Sequence, residues 1–284
     1  MNRRNIGIIY ILLAAFFFAL MNLFVRLSGD VPTLQKCFFR NVVAMLVAGA
    51  LLLRSRQRFR PTRTTAVGLL IRSVAGTVGL ICNFYAVDHL SISDASLLNK
   101  LSPFFAIIFS ALILKERANR VEWAAVVTAF CGALFVIKPS LNMSVIPALI
   151  GTLGGLGAGL AYTYVRRLGQ QGVPSPVIVF VFSAFSCLVT LPSMLFAFSP
   201  MTLAQTLFLL LAGAAAAGGQ FSITAAYTRA PAKELSVFDY SQIVFAALLG
   251  FVFLGQIPDL WSVIGYCIII DAAVAKWLYN RRAA

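Results

Sequence analysis

The sequence predicts an all-α integral membrane protein, with ten transmembrane helices arranged as two inverted five-helix repeats around a central cavity. Three observations predict it. The 284 residues are 60% hydrophobic and 11% charged, with a mean hydropathy of +0.90, whereas a soluble domain carries about 25% charged residues to coat its surface. Apolar stretches about as long as a bilayer-spanning helix recur with short interruptions. A set of residues also recurs at an offset of 140 positions.

The first apolar stretch, Ile6 to Val25, follows Arg3 and Arg4. It is long for a signal peptide and more stretches follow at once, so it reads as a retained first helix. The others run from Cys37 to Leu53, Ala66 to Val87, Ala95 to Leu114, Val121 to Ile137, Val145 to Val165, Val177 to Phe198, Leu203 to Ala226, Leu235 to Leu254 and Leu260 to Tyr279. Prolines 32, 61, 139, 174, 200, 231 and 258 fall in or beside the connections, where a residue without an N–H is tolerated. The repeats are residues 1–139 (spans 1 to 5) and 140–284 (spans 6 to 10), and no segment is left for a soluble domain.

Orientation follows from the excess of Lys and Arg in cytoplasmic loops. With the N-terminus inside, 17 of the 23 basic residues collect at the cytoplasmic ends, and Arg26, Lys36 and Lys138 face the other side. Both termini are therefore expected in the cytoplasm, with the chain in the inner membrane. A net charge of +14 does not point to nucleic acid, because these residues sit in short connections rather than in one patch. The five cysteines (37, 82, 131, 187, 267) lie in apolar segments without a CxxC pair and read as small hydrophobes, with no disulfide.

At the 140 offset Leu20, Val25 and Arg26 fall on Leu160, Val165 and Arg166, and Ala86, Ser96 and Leu114 fall on Ala226, Ser236 and Leu254. Asp94 meets Glu234. Five spans per copy is an odd number, so the second copy enters from the opposite side. Chance matching of two apolar stretches is the alternative explanation. In inverted-repeat transporters the substrate sits near the midplane between the repeats, which directs attention to polar residues inside spans.

Arg40, Arg72, Lys100, Asp239 and Asp271 are ionisable and lie within spans. Each costs roughly 2.5 to 3.5 kcal/mol at a helix centre, so each must be paired, hydrated or close to an interface. Arg40 and Arg72, a turn or two from a span end, are expected to snorkel to the surface. Lys100 lies deeper. Ser96, Asn99, Lys100 and Pro103 share one helical face, and Ser236, Asp239 and Tyr240 repeat the pattern. Pro103 lacks an N–H, which frees the Asn99 carbonyl. Lys100 then faces a ligand, makes a structural contact with Asp239 or snorkels to an interface.

Asn22 pairs by offset with Tyr162. Gly76, Gly79 and Asn83 share one face of the third span, as do Gly213, Ala217, Gln220, Thr224 and Tyr227 in the eighth. Such stripes serve close helix packing or a cavity wall. The glycines of the sixth span (151, 154, 155, 157, 159) allow tight packing or flexing. Asp271, mid-way along the tenth span with no polar neighbour at helical spacing, is a candidate proton site or a lateral contact. His89, the only histidine, reads as interfacial.

These residues resemble the drug/metabolite transporter (DMT) superfamily, specifically its EamA-type ten-helix members, over nearly the whole chain. The resemblance rests on Asn83-Phe84-Tyr85-Ala86-Val87, Asp94-Ala95-Ser96, Leu101-Ser102-Pro103-Phe104 and Leu114-Lys115-Glu116 in the first half. In the second half it rests on Phe238-Asp239-Tyr240-Ser241-Gln242 and on Pro258-Asp259 leading into Gly265. It implies a carrier of amino acids, amines, nucleobases, vitamins or other metabolites, with a cavity lined chiefly by spans 1, 3, 4, 6, 8 and 9. Where such repeats end their fourth helix with Leu-x-Glu, the second copy has Leu254-Gly255-Gln256. The first helix carries Asn22 and no acid, which disfavours the cationic-drug antiport of the small multidrug members.

The candidate substrate-binding residues are thus Asn22, Asn83, Asn99, Lys100, Ser102, Tyr162, Gln220, Asp239 and Tyr240, with Asp271 as the proton-coupling candidate. The expected function is a secondary transporter moving a small polar metabolite, amino-acid-like or carboxylate-bearing, by alternating access, with protons as the candidate coupling ion. A channel-like pathway, or a carrier of amines, nucleobases or vitamins, is the alternative. An enzyme is not expected, since scattered acids and one interfacial histidine form neither an acid–base pair nor a metal cluster. No metal, cofactor or nucleic-acid partner is expected; the partners are a small-molecule substrate and the lipid bilayer, and the chain is expected as a monomer, with a dimer left open.

Overall fold

A backbone in hydrocarbon has no water to satisfy its N–H and C=O groups, so each apolar stretch closes its hydrogen bonds within a helix. The computed structural model describes residues 3–55, 59–90, 92–138, 145–255 and 257–282. In these the chain forms α1 (Arg3–Leu27), α2 (Thr33–Ser55), α3 (Arg63–His89), α4 (Ile92–Asn99), α5 (Ser102–Phe109), α6 (Arg120–Ile137), α7 (Val145–Gln170), α8 (Ser175–Phe196), α9 (Leu203–Arg229), α10 (Ala232–Asp239), α11 (Ser241–Leu254) and α12 (Leu260–Arg282). A π-helical turn, Ser110–Leu114, extends α5. Spans 4 and 9 are each a pair of helices, broken after Asn99 and after Asp239, and the ten spans are 18 to 27 residues long. The second and third begin at Thr33 and Arg63, before the first apolar residue of each stretch, because Thr, Gln, Lys and Arg at the interface join the helix.

The 140-residue repeat is written into the backbone. Helix α3 and helix α9 start and stop at equivalent positions, as do α4 and α10. Thr62 and Thr202 open α3 and α9 with the same capping box, each with its N3 side chain bonding back to the cap N–H. Lys115 and Gly255 end spans 4 and 9 in the left-handed conformation, at φ 60° and 63°. The boundary expected between residues 139 and 140 lies outside the described residues, as do Pro139, Gln256, Arg56 and Arg58.

Packing joins the halves to each other more than each to itself. Helix α1 lies on α9 as α3 lies on α7, α1 meets α11 as α7 meets α5, and α2 packs on α8 and α6 on α12. Exchanging the repeats leaves this pattern unchanged, as an inverted two-fold arrangement requires. The glycines of α7 allow some of these contacts to be very close. A Cβ on Gly157 would sit 2.7 Å from the Ala75 carbonyl, and one on Gly155 would sit 2.7 Å from the Leu98 carbonyl. The stripe is therefore occupied by close backbone approach to spans 3 and 4.

Candidate substrate cavity

The two broken helices meet at the centre. Pro103 interrupts the fourth span as expected, but the ninth breaks at the equivalent place with Ile243 where Pro103 stands. What the breaks share is a reciprocal contact. The Tyr240 hydroxyl donates to the Lys100 carbonyl at 2.9 Å, and the Lys100 ammonium donates to the Asp239 carbonyl at 3.3 Å, the Asp239 carboxylate at 3.2 Å and the Gln242 side-chain oxygen at 2.8 Å. Ser236 donates to the Pro103 carbonyl at 3.3 Å. Lys100 and Asp239 are thus an ion pair buried between the repeats, and Lys100 also borders a cavity.

That cavity has a volume of about 860 Å³. Its walls include Asn22, Asn83, Asn99, Lys100, Tyr162 and Gln220. Asp239 and Tyr240 stand behind Lys100, and buried Ser102 lies apart from the lining. Asp271 is exposed on the outward face of α12, away from the cavity. His89 stacks on Tyr85 with ring centroids 4.0 Å apart.

Spans 2 and 7, outside the set implied by the resemblance, also line the cavity, through Lys36, Arg40 and Phe182. The snorkelling expected of Arg40 and Arg72 does not occur: they are 8% and 2% exposed and both line the cavity. Each helix begins earlier than its apolar stretch, which carries these residues further from the interface than the stretch suggested. Arg72 lies along its own helix over Gly76, where a Cβ would come within 2.4 Å of its Nη1 and 2.9 Å of the Phe182 ring. Its guanidinium stacks 3.8 Å from the centroid of Phe182 and donates to the Gln220 oxygen at 3.2 Å. A glycine one turn after an arginine was the readable signal of this fold-back.

The two ends of the cavity differ. One end reaches Arg26, Gly29 and Asp30, which are exposed. The lining does not extend to the other, where most basic residues gather. Tyr162 stacks on Tyr227 with centroids 5.0 Å apart. Beyond them one Glu116 oxygen accepts from Arg166 Nε at 3.1 Å, Arg166 Nη2 at 3.0 Å and Gln170 at 3.0 Å. The other accepts from Ser110 at 3.0 Å, while Arg166 also donates to the Thr228 carbonyl at 3.3 Å. Spans 4, 6 and 8 are thereby tied together. Alongside, Lys276 and Glu122 form a buried pair at 3.3 Å that holds span 10 to span 5.

Ten spans, a broken-helix crossing at the centre and a cavity closed at one end define a multi-pass membrane transporter. The EamA-like transporter family matches residues 5–138 and again 145–275, and the chain belongs to that family, within the DMT superfamily. It is 34% identical over 272 residues to the pseudopaline exporter CntI of Pseudomonas aeruginosa, covering 95% of each chain. It is 28% identical over 311 residues to human solute carrier family 35 member G1, covering 98% of this chain and 81% of that one. It is 26% identical over 286 residues to a riboflavin transporter of Vibrio cholerae, covering 95% and 93%. A solved crystal structure superposes with a TM-score of 0.83 at 20% identity over 98% of both chains, which shows the fold.

Proposed function

We propose that this chain is a secondary transporter that moves a small carboxylate-bearing or amino-acid-like metabolite across the inner membrane by alternating access, with both termini cytoplasmic. The observation that carries the reading is the dead-ended cavity: it opens at the sparsely basic end and is closed at the other by the Glu116 and Arg166 cluster. Arg26, the repeat equivalent of Arg166, stands exposed at the mouth. A mirror-image state would exchange these roles. Asn22, Asn83, Asn99, Lys100, Tyr162 and Gln220 contact the solute in this reading, and Asp239 and Tyr240 position Lys100. Among the relatives the exporter favours outward movement.

The test is flux in liposomes carrying the purified protein. Saturable uptake that speeds up when the same solute is loaded on the far side marks a carrier, and flux rising linearly with concentration and indifferent to far-side loading would show a channel instead. Proton coupling through Asp271 draws no support from its outward placement. A pH-gradient dependence that survives Asp271→Asn removes it from the mechanism.

A further inference from the structure

Of the residues lining the cavity, five are basic (Arg26, Lys36, Arg40, Arg72, Lys100) and one, Asp30 at the mouth, is acidic. Lys100 is already neutralised by Asp239 and bonded on three sides. Arg40 and Arg72 are not. Neither belongs to any ion pair among the described residues. The Nε of each is buried without a hydrogen-bond partner, and both side chains line the same cavity as Tyr162.

The scaffold does not require them. Residues that build the repeat recur at the 140 offset, whereas the equivalents of Arg40 and Arg72 are Phe180 and Ala212. Two like charges held mid-membrane, one of them fixed in place by Gly76 and Phe182, are expensive unless something anionic joins them. A guanidinium is a planar fork matched to carboxylate or phosphate oxygens, and two of them facing one recess suit an oxyanion better than an ammonium does.

We propose that Arg40 and Arg72 form the anion-binding pole of the cavity, taking a carboxylate or phosphate group of the transported solute into the recess beside Phe182 and Gln220. This rests on the carrier reading and refines it: the anionic group goes to the arginine pair, and Lys100 with its three partners forms the wall beside it. The solute is then an organic anion whose remaining body reaches up past Asn22 and Asn83.

Thermal stabilisation of the detergent-solubilised protein by succinate, its neutral analogue succinamide and glycerol phosphate tests this, because a ligand that prefers the folded state raises the melting temperature. Stabilisation by succinate or glycerol phosphate, but not by succinamide, is expected of the wild type, and which of the two acts tells carboxylate from phosphate. Arg40→Gln and Arg72→Gln are each expected to raise the half-effective concentration at least tenfold, and Arg120→Gln, an exposed site outside the cavity, to leave it unchanged. Arg72→Lys, which keeps the charge and loses the fork, should fall between. The wild-type comparison of succinate with succinamide stands even if a variant does not fold. Stabilisation by neither anion, equal stabilisation by succinamide, or anion binding untouched in both Gln variants overturns the proposal. Counterflow in liposomes separates the two readings. Exchange of a neutral or cationic solute that the arginine variants leave intact sinks the anion pole and keeps the carrier, whereas a bound anion that is never exchanged sinks the carrier and keeps the pole.

Discussion

Tyr240 and Lys100 occupy the same position in the two repeats, and the hydroxyl of one donates to the main-chain carbonyl of the other at 2.9 Å. The Lys100 ammonium returns the contact to the Asp239 carbonyl. Each broken helix supplies a hydrogen-bond partner to the other's interrupted ladder. Tyr240→Phe removes one side and leaves a buried carbonyl without its donor, which costs about 1–3 kcal/mol. The expected reading is a lower melting temperature of the purified protein, with helix content unchanged. A variant as stable as the wild type would show that the carbonyl has another partner.

Glu116 gathers Arg166, Gln170 and Ser110 at the sealed end. Hydrogen bonds to a charged group contribute about 1.5–3 kcal/mol. Glu116→Gln is therefore expected to loosen the seal and speed amide exchange in residues 110–117 and 163–171 roughly ten- to a hundredfold, while leaving α2 and α8 protected. Equal exchange in both proteins would mean that the Tyr162 and Tyr227 stack alone keeps that end shut.

Lys276 and Glu122 are paired with side chains 1% and 6% exposed. Removing one partner of a buried pair is destabilising by about 3–5 kcal/mol. Lys276→Met should lower the melting temperature sharply, and adding Glu122→Gln should restore most of the loss. Glutamine can also keep the bond to the Asn119 N–H that Glu122 now makes. Failure of the double variant to recover would place the effect in packing rather than charge.

Asp259 lies just outside the tenth span, where it accepts from Lys138 and from the Ser262 N–H that opens α12. The Lys138 hydrogen bond, helped by Ser262, holds its carboxyl down at about 2, from an ordinary 3.8. A depressed folded value means the stabilisation is complete above about pH 4 and is lost as pH falls toward 2. Asp259→Asn is expected to flatten the pH dependence of the melting temperature in that window, with little change in its slope near pH 7. An undiminished slope between pH 4 and 2 would assign the acid response to other carboxylates.

Hydropathy and the 140-residue offset made the ten spans and their internal pairing legible, because both follow from what lipid permits a backbone to do. The depth of Arg40 and Arg72 was not legible: apolar stretches mark where hydrocarbon lies, while Thr33 to Lys36 and Arg63 to Thr65 continue the helices past that limit. The break at Tyr240 was hidden for a different reason. Pro103 announces its interruption locally, whereas the ninth span's depends on a lysine from the other repeat. Six of the nine polar positions singled out from sequence line the cavity. Ser102 does not; it is buried, with its backbone N beside Gly155 of α7.

A chamber with a floor is a cul-de-sac rather than a corridor. On the proposed carrier reading, whatever enters past Arg26 would retreat by the same door until spans 4, 6 and 8, held together by Arg166 and Glu116, part from one another. In the carrier proposed above, throughput would be set by how often the helices re-pack, and each cycle would deliver no more molecules than 860 Å³ can hold.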